Sequence, residues 1–385
     1  MTVTTVGVIR ERHPGEERVA LTPEAVTRLT TAEVSVVVES GAGAASHHSD
    51  DDYREAGARV ADTATVEAAD VLCGVNPFTP GDPRPGQVLV GLFSPLHRAA
   101  HMRRLQAAEL TVVSLDLLPR RLSRAQSMDA LSSQANLAGY KAVLVAADTY
   151  RRYFPMLTTA AGTSSPANVL VLGTGVAGLS AIGTARRLGA VVTAYDVRPE
   201  ARGEVESLGA RFLELESVTG GAGDGGYARQ LTDAERRAQQ DELTARLSRF
   251  DVVITTAKVP GRVPPTLVTE AGLASLRPGS VVVDMAAGEL GGNVATSRPD
   301  ERFVTEGGVT VIGAGDLPAR MGPAASAGYA RNISAVLRHL LVDGRVHIDP
   351  DDEITGQITV THRGEPVSPL TADQLTADAT VGGNT

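Results

Sequence analysis

Short apolar runs rich in β-branched residues alternate along the chain with segments whose apolar residues recur at helical spacing. The first runs are 5–11 (TVGVIRE), 33–40 (EVSVVVES), 69–75 (ADVLCGV), 86–93 (GQVLVGLF) and 110–116 (LTVVSLD). Each is too short for a helix and reads as a buried strand. Between the first two, 22–32 (TPEAVTRLTTA) puts Pro23 after Thr22 and apolar residues at 26 and 29, which predicts a helix capped by Thr22. The sequence 128–151 predicts a long helix, and a turn-rich stretch, TAAGTSSPA, follows it. A second series then begins: strand 168–173, helix 176–189, strand 190–196, and further strands at 249–257, 279–286 and 308–315. A helix over 327–344 and a hairpin or edge strand in GQITVTHRGEPV close the pattern. Strand and helix alternation of this kind predicts parallel sheets covered by helices. The expected fold is α/β with two doubly wound domains. Residues 1–135 form the first, completed by the C-terminal segment 327–385, and 136–326 form the second. The tail is too short to bury a core of its own and is expected to pack back on the first domain.

Composition sharpens this. Of 385 residues, 42% are hydrophobic but only 3% aromatic, Trp is absent, and Gly numbers 40, which suits sheets and helices filled by Val, Ala and Leu. The net charge of −9 argues against nucleic acid or an anionic membrane as the main partner. A single cysteine, Cys73, sits in an apolar run and rules out an internal disulfide framework. No histidine or cysteine pattern has metal-ligand spacing; His47 and His48 read as a solvated loop, and His97 and His101 as surface or packing residues. No secretory leader and no uninterrupted apolar run of membrane-spanning length is present, so a cytoplasmic location is expected.

The residues VLVLGTGVAGLSAIGTARRLGAVVTAYD carry Gly173, Gly175 and Gly178 in G-x-G-x-x-G spacing, between a strand and a helix. Such glycines allow a tight turn, close approach of a pyrophosphate, and close helix–strand packing, with the helix N-terminus facing the phosphates. Asp196 ends the next strand, 18 residues past Gly178. A carboxylate there accepts ribose hydroxyls and repels a 2′-phosphate, which favours NAD over NADP; Arg198 nearby is compatible with a 2′-phosphate. Val176, Ala177 and Val197 adjoin these positions. Ala257, in TTAKVPG, follows a strand at its carboxyl end, where open α/β sheets bind nucleotides, and Lys258 comes next. The stretch 217–230 is rich in glycine and contains Tyr227. Ahead of the fingerprint, RRLSRAQSMDALSSQANLAGY (120–140) gathers three arginines with Gln126, Ser127 and Asp129; from composition alone it also reads as a solvated helix start.

Several of these segments, in order, resemble the NAD(H)-binding alpha subunit of proton-translocating NAD(P) transhydrogenase, with alanine dehydrogenase as the sister family. They are IRERHPGEERVALTPEAV, VESGAGAAS, RLSRAQSMDALSSQANLAGYKAV, the glycine fingerprint, GDGGYARQ, ITTAKVPGRVPPTLVT, PGSVVVDMAAGELGGN and GDLPAR. The resemblance covers about residues 6–370. It implies direct hydride transfer between NADH on this chain and NADP on a partner, with the NAD site in a cleft between the domains. It implies that Arg121, Gln126 and Asp129, with Ser132, serve the nicotinamide end, and that Tyr227 folds over the nucleotide. It implies a homodimer, an NADP-binding beta subunit, a separate membrane-spanning alpha subunit that couples the reaction to proton translocation, and a peripheral place on the inner face of the membrane. Lys258 stands where the family has an aliphatic residue, and 284–293 is one residue longer than usual, so Glu289 receives no role. No metal and no nucleic acid are implied.

Two other readings compete. An alanine dehydrogenase needs a cation for the substrate carboxylate and a general acid/base. The sister family's lysine and histidine correspond to Asn76 and Ser94, and Arg10, Glu11 and Arg18 fit structural ion pairs equally well. An NAD-sensing scaffold would keep the glycines and Asp196 without needing Arg121, Gln126 or Asp129.

Overall fold

The computed structural model describes residues 4–217, 231–258 and 261–376. The chain divides into two compact units, 1–134 with 318–385, and 135–317. The crossings lie inside the helix Ala130–Thr149 and just before the helix Gly322–Leu340. Residues 318–326 therefore group with the first unit instead of the second. Ala319 accepts the Glu17 N–H at 2.9 Å, and a Cβ on Gly322 would lie 3.0 Å from the Ala45 carbonyl.

In the first unit, β1 (Thr5–Val8), β2 (Ser35–Glu39), β3 (Arg59–Ala61), β4 (Val71–Cys73), β5 (Val88–Gly91) and β6 (Thr111–Ser114) pair in parallel in the order 3-2-1-4-5-6. The runs are apolar throughout because both faces are covered. Val6, Val8, Val36, Val38, Val71 and Cys73 fill one core, and Val37, Leu72, Leu89 and Val112 fill the other. The tail does pack on this unit. Strand Thr359–His362 adds antiparallel to β6, and Glu365–Pro366 turns back on it as the sheet edge. The helix Gly322–Leu340 is tied down by Tyr329, fully buried, whose hydroxyl donates to the Gly74 carbonyl at 2.9 Å. Pro23 does start the helix Pro23–Thr31, but the Thr22 side chain makes no capping bond.

The second unit opens with a short exposed hairpin, β7 (Leu157–Thr159) and β8 (Gly162–Ser164), where the sequence reads only as turns. Its main sheet holds β9 (Asn168–Leu172), β10 (Val191–Tyr195), β11 (Arg211–Phe212), β12 (Val252–Thr255), β13 (Val281–Asp284), β14 (Arg302–Val304) and β15 (Thr310–Gly313). The order is 11-10-9-12-13-15-14, parallel except for the edge strand β14. Both sheets are thus doubly wound, each with one antiparallel edge that the expectation of parallel sheets omits. The strand order reverses between β1 and β4 in one unit and between β9 and β12 in the other, and crevices for ligands form at such points.

In the second unit the helices Ala130–Thr149 and Val176–Arg187 meet almost backbone to backbone. A Cβ on Gly139 would lie 2.0 Å from the Ala177 carbonyl, and Ser180 Oγ donates to the Asn136 carbonyl at 2.7 Å. Alanine in a free helix is better than glycine by about 1 kcal/mol, but here the overlap is with backbone and cannot relax cheaply. Gly139→Ala should therefore destabilise the protein by about 1–3 kcal/mol, read as a shift in the denaturant midpoint; unchanged or raised stability would contradict the close contact.

Candidate dinucleotide and hydride-transfer sites

The fingerprint lies at the second unit's switch point. Gly173 ends β9 with φ +96°, a conformation that suits glycine, and a Cβ there would sit 2.7 Å from Thr256 Oγ1 and 3.0 Å from Ala257 N. Gly178 lies on the first turn of the helix Val176–Arg187, where a Cβ would come 2.0 Å from the Gly173 carbonyl oxygen. At Gly175, the residue capping that helix, a Cβ would meet no atom within 4 Å. Two glycines are thus required by close packing and the third faces open space. That is the cradle a pyrophosphate needs, with the unpaired N–H groups of Val176, Ala177 and Gly178 at the helix start.

Asp196 sits just past β10 with its carboxylate turned back to the same turn. It accepts from Thr174 N (2.8 Å), Thr174 Oγ1 (2.9 Å), Arg198 N (2.9 Å), Arg198 Nε (3.0 Å) and Arg198 Nη2 (3.1 Å). Burial pushes its pKa up, but the Arg198 and Thr174 donors outweigh burial and hold it below the usual carboxylate value. A carboxylate offers about four acceptor positions, and these are filled. A ribose hydroxyl would reach Asp196 only with the Arg198 guanidinium displaced. Val197 packs against the core beside it.

Across the switch point, Ala257 is held by a residue that motif spacing does not reveal. Asn293 is fully buried; its Oδ1 accepts from Ala257 N at 2.9 Å, and its Nδ2 donates to the carbonyls of Ala257 and Pro265, both at 2.8 Å. Asp284, also fully buried, orders the loop that carries Asn293 by accepting from Thr255 Oγ1 (2.8 Å), Ala286 N (3.0 Å), Val294 N (3.0 Å) and Ser297 Oγ (2.5 Å). Lys258 is exposed. Tyr227 lies outside the described residues.

The 120–132 stretch, in the first unit, is built around one carboxylate. Asp129 Oδ1 accepts from Ser132 N at 2.9 Å, the geometry of a cap on the helix Ala130–Thr149, and Oδ2 accepts from Ser132 Oγ at 2.7 Å and Arg120 Nε at 3.0 Å. Arg120 Nη2 also donates to Ser132 Oγ at 2.6 Å. The structure thus joins Asp129 and Ser132 through Arg120, whereas Arg121 is exposed and stands outside this cluster. Gln126 is also exposed, on a 3₁₀ turn, Ser123–Met128, anchored from both sides. Arg124 pairs with Asp352 at 2.7 Å, and Asn332 Nδ2 donates to the Ser127 carbonyl at 2.9 Å.

The residues that bear on the amino-acid dehydrogenase reading lie at the first unit's switch point, and they are satisfied internally. The Arg18 and Glu16 side chains, each 2% exposed, pair at 2.7 Å, and Arg18 Nη1 donates to Gln134 Oε1 at 3.1 Å. Asn76 Nδ2 donates to Glu16 Oε2 (2.8 Å) and Glu11 Oε2 (3.0 Å). Burial raises the Glu11 pKa against the hydrogen bonds from Val75 and Asn76. Ser94 donates its N–H to Asp116 at 2.9 Å and offers no ring nitrogen for proton transfer. His101 bonds Thr79 Oγ1 at 2.9 Å and packs against Phe93. Cys73 is buried, which pushes its thiol up to about 12. Among the described residues no group of three or more histidine, cysteine or acidic side chains is placed to hold a metal, and no helix is long and apolar enough to cross a membrane.

Comparison with known proteins fits this geometry. Residues 7–138 match the alanine dehydrogenase/PNT N-terminal domain and 142–369 the alanine dehydrogenase/PNT C-terminal domain. The chain is 43% identical over 368 residues to the NAD(P) transhydrogenase subunit alpha of Cereibacter sphaeroides, covering 93% of this chain and 70% of that one. It is 40% identical over 383 residues to an NAD(P) transhydrogenase subunit alpha chain of Rhodospirillum rubrum, covering 96% and 99%. The crystal structure of transhydrogenase from Sinorhizobium meliloti superposes with a TM-score of 0.85 at 40% identity, over 94% of this chain and all of that one. Alanine dehydrogenase is a more distant relative: that of Mycobacterium tuberculosis is 30% identical over 309 residues, 76% of this chain and 75% of that one. The chain belongs to the alanine dehydrogenase/PNT family, on the branch of the NAD(P) transhydrogenase alpha subunits.

Proposed function

We propose that this chain binds NADH and passes its hydride directly to NADP held by a partner subunit, as one component of a proton-translocating transhydrogenase. Bound NADH would supply the hydride from its dihydronicotinamide ring. The chain's own residues bind and orient. Gly173, Gly175 and Gly178 seat the pyrophosphate at the helix start, Asp196 takes the adenosine ribose, with Val197 and Arg198 beside it, and Ala257 forms the facing wall. The 120–132 stretch serves the nicotinamide end, with Tyr227 closing over the nucleotide. Direct transfer requires the two reacting carbons within roughly 3–3.5 Å and moves no proton. A rigid polar clamp suits that task better than an acid or base. The observation that carries the reading is the Asp129–Ser132–Arg120 cluster, a clamp of hydrogen bonds in which the Asp129 carboxylate is taken up by three donors.

We assign to Arg120, held by Asp129 and Ser132, the role that the resemblance gives to Arg121. A guanidinium fixed at two points meets a carboxamide or ribose in one orientation. The wider reading includes a homodimer, an NADP-binding beta subunit and a separate membrane-spanning alpha subunit. It places the chain in the cytoplasm against the inner face of the membrane. The alanine dehydrogenase reading is disfavoured by Arg18, whose guanidinium serves Glu16 and Gln134, and by Asn76 and Ser94 in place of a lysine and a histidine.

Mixed with the NADP-loaded partner, the chain should transfer hydride from NADH, and alone it should not oxidise alanine with NAD. Arg120→Ala should slow transfer at saturating NADH by about tenfold or more, equivalent to about 1.4 kcal/mol of barrier, and change NADH affinity by less than about threefold. Arg121→Ala should leave transfer within about threefold of the parent. The opposite pattern in stopped-flow transfer rates would return the role to Arg121. Asp196→Ala should weaken NADH binding about tenfold or more in a fluorescence titration and narrow the preference for NADH over NADPH; equal affinity in the variant would remove Asp196 from the site.

A further inference from the structure

We propose that the basic groove between the helices Pro23–Thr31 and Gly322–Leu340 is where the NADP-carrying partner docks, through an acidic segment of its surface. The groove has a volume of about 380 Å³ and is lined by Arg28, Arg331 and Arg338 together with Gln126 and Ser127. All three arginines are exposed, and no carboxylate is among the lining residues. Arg28 pairs with Glu24 one turn back on its own helix. Arg331 and Arg338 form no ion pair among the described residues. Such a concentration of positive charge is out of character for a chain of net charge −9.

Its shape selects the kind of partner. Arg331 and Arg338 are seven residues apart on one helix, so they share a face about 10 Å apart along the axis. That span exceeds the reach of one phosphate group and suits two or three carboxylates on a protein segment. Exposed charges of this kind steer association and set its salt dependence more than they add affinity. Gln126 ties the groove to the reaction. It lines the groove and also belongs to the stretch assigned to the nicotinamide end, so a partner bringing a second nicotinamide to contact distance covers this ground. The inference rests on that reading of the 120–132 stretch.

The test reverses charge at Arg331→Glu and Arg338→Glu together in the full chain, with Arg28→Glu as a separate single variant in case the double variant does not fold. NADH titration should give the parent's affinity within about twofold, showing an intact fold and cofactor site. Half-maximal hydride transfer should need about tenfold more NADP-loaded partner, transfer at saturating partner should stay within about threefold, and the salt dependence should flatten. Arg331→Lys with Arg338→Lys should keep most of the affinity. Direct sedimentation of chain with NADP-loaded partner measures docking apart from chemistry. Binding without hydride transfer in the parent would sink the proposed function and leave the groove to be judged by the variants' binding. An unchanged half-saturating partner concentration in both the double and the single variant would overturn the docking assignment.

Discussion

The cofactor half of the molecule depends on two places where backbones touch without side chains between them. The helix Val176–Arg187 can begin at the end of β9 only because Gly178 lets its first turn rest against the Gly173 carbonyl. It keeps that position only because Gly139 lets the helix Ala130–Thr149 lie against the Ala177 carbonyl. A methyl group at either place would push the helix start off the switch point. The N–H groups of that turn, and the open space at Gly175, would then no longer face the same volume. The candidate phosphate cradle is therefore a consequence of packing. Its polar geometry is set by close backbone contacts in which glycine is the required residue.

The two units share one strand order and use it in opposite ways. At the second unit's switch point, Gly175 faces open space, while Asp284 and Asn293 spend their hydrogen bonds holding Ala257 and the loop behind it. At the first unit's switch point, the corresponding ground is filled from within by Glu11, Glu16, Arg18 and Asn76. Removing one partner of a buried pair such as Arg18–Glu16 typically costs about 3–5 kcal/mol, because a charge is left without compensation. A pair so committed resists being opened by a small substrate. One fold thus yields a candidate cofactor site in one unit and a self-satisfied polar cluster in the other, and the difference lies in which side chains satisfy each other.

Much of this is legible in the sequence, and the exceptions have physical causes. Continuous apolar runs such as VLVLG and VVVD announce strands buried on both faces, so the doubly wound class and the fingerprint follow from period and spacing, while the strand order comes from the structure. The antiparallel strand Arg302–Val304 and the hairpin Leu157–Ser164 do not, since edge and exposed strands lack the apolar signature that burial imposes. Asp284 and Asn293 escape notice because a buried polar residue that satisfies backbone groups looks, in sequence, like any loop acid or amide. The adjacent arginines 120 and 121 cannot be separated by spacing. Only the path of the chain after Pro119 decides which guanidinium turns toward Asp129.

That choice matters because Asp129 performs two jobs with one carboxylate. Its Oδ1 caps the helix Ala130–Thr149, a contribution of about 1 kcal/mol, and its Oδ2 holds Ser132 and Arg120. The cap fixes the carboxylate relative to the helix, and the carboxylate fixes the guanidinium, so the orientation of Arg120 is inherited from the helix and not from a mobile side chain. Arg124 and Asn332 anchor the preceding turn in the same way, leaving Gln126 on an ordered backbone with its side chain exposed. For the proposed direct hydride transfer, rigidity inherited from backbone is the most direct means of bringing two flat rings into register.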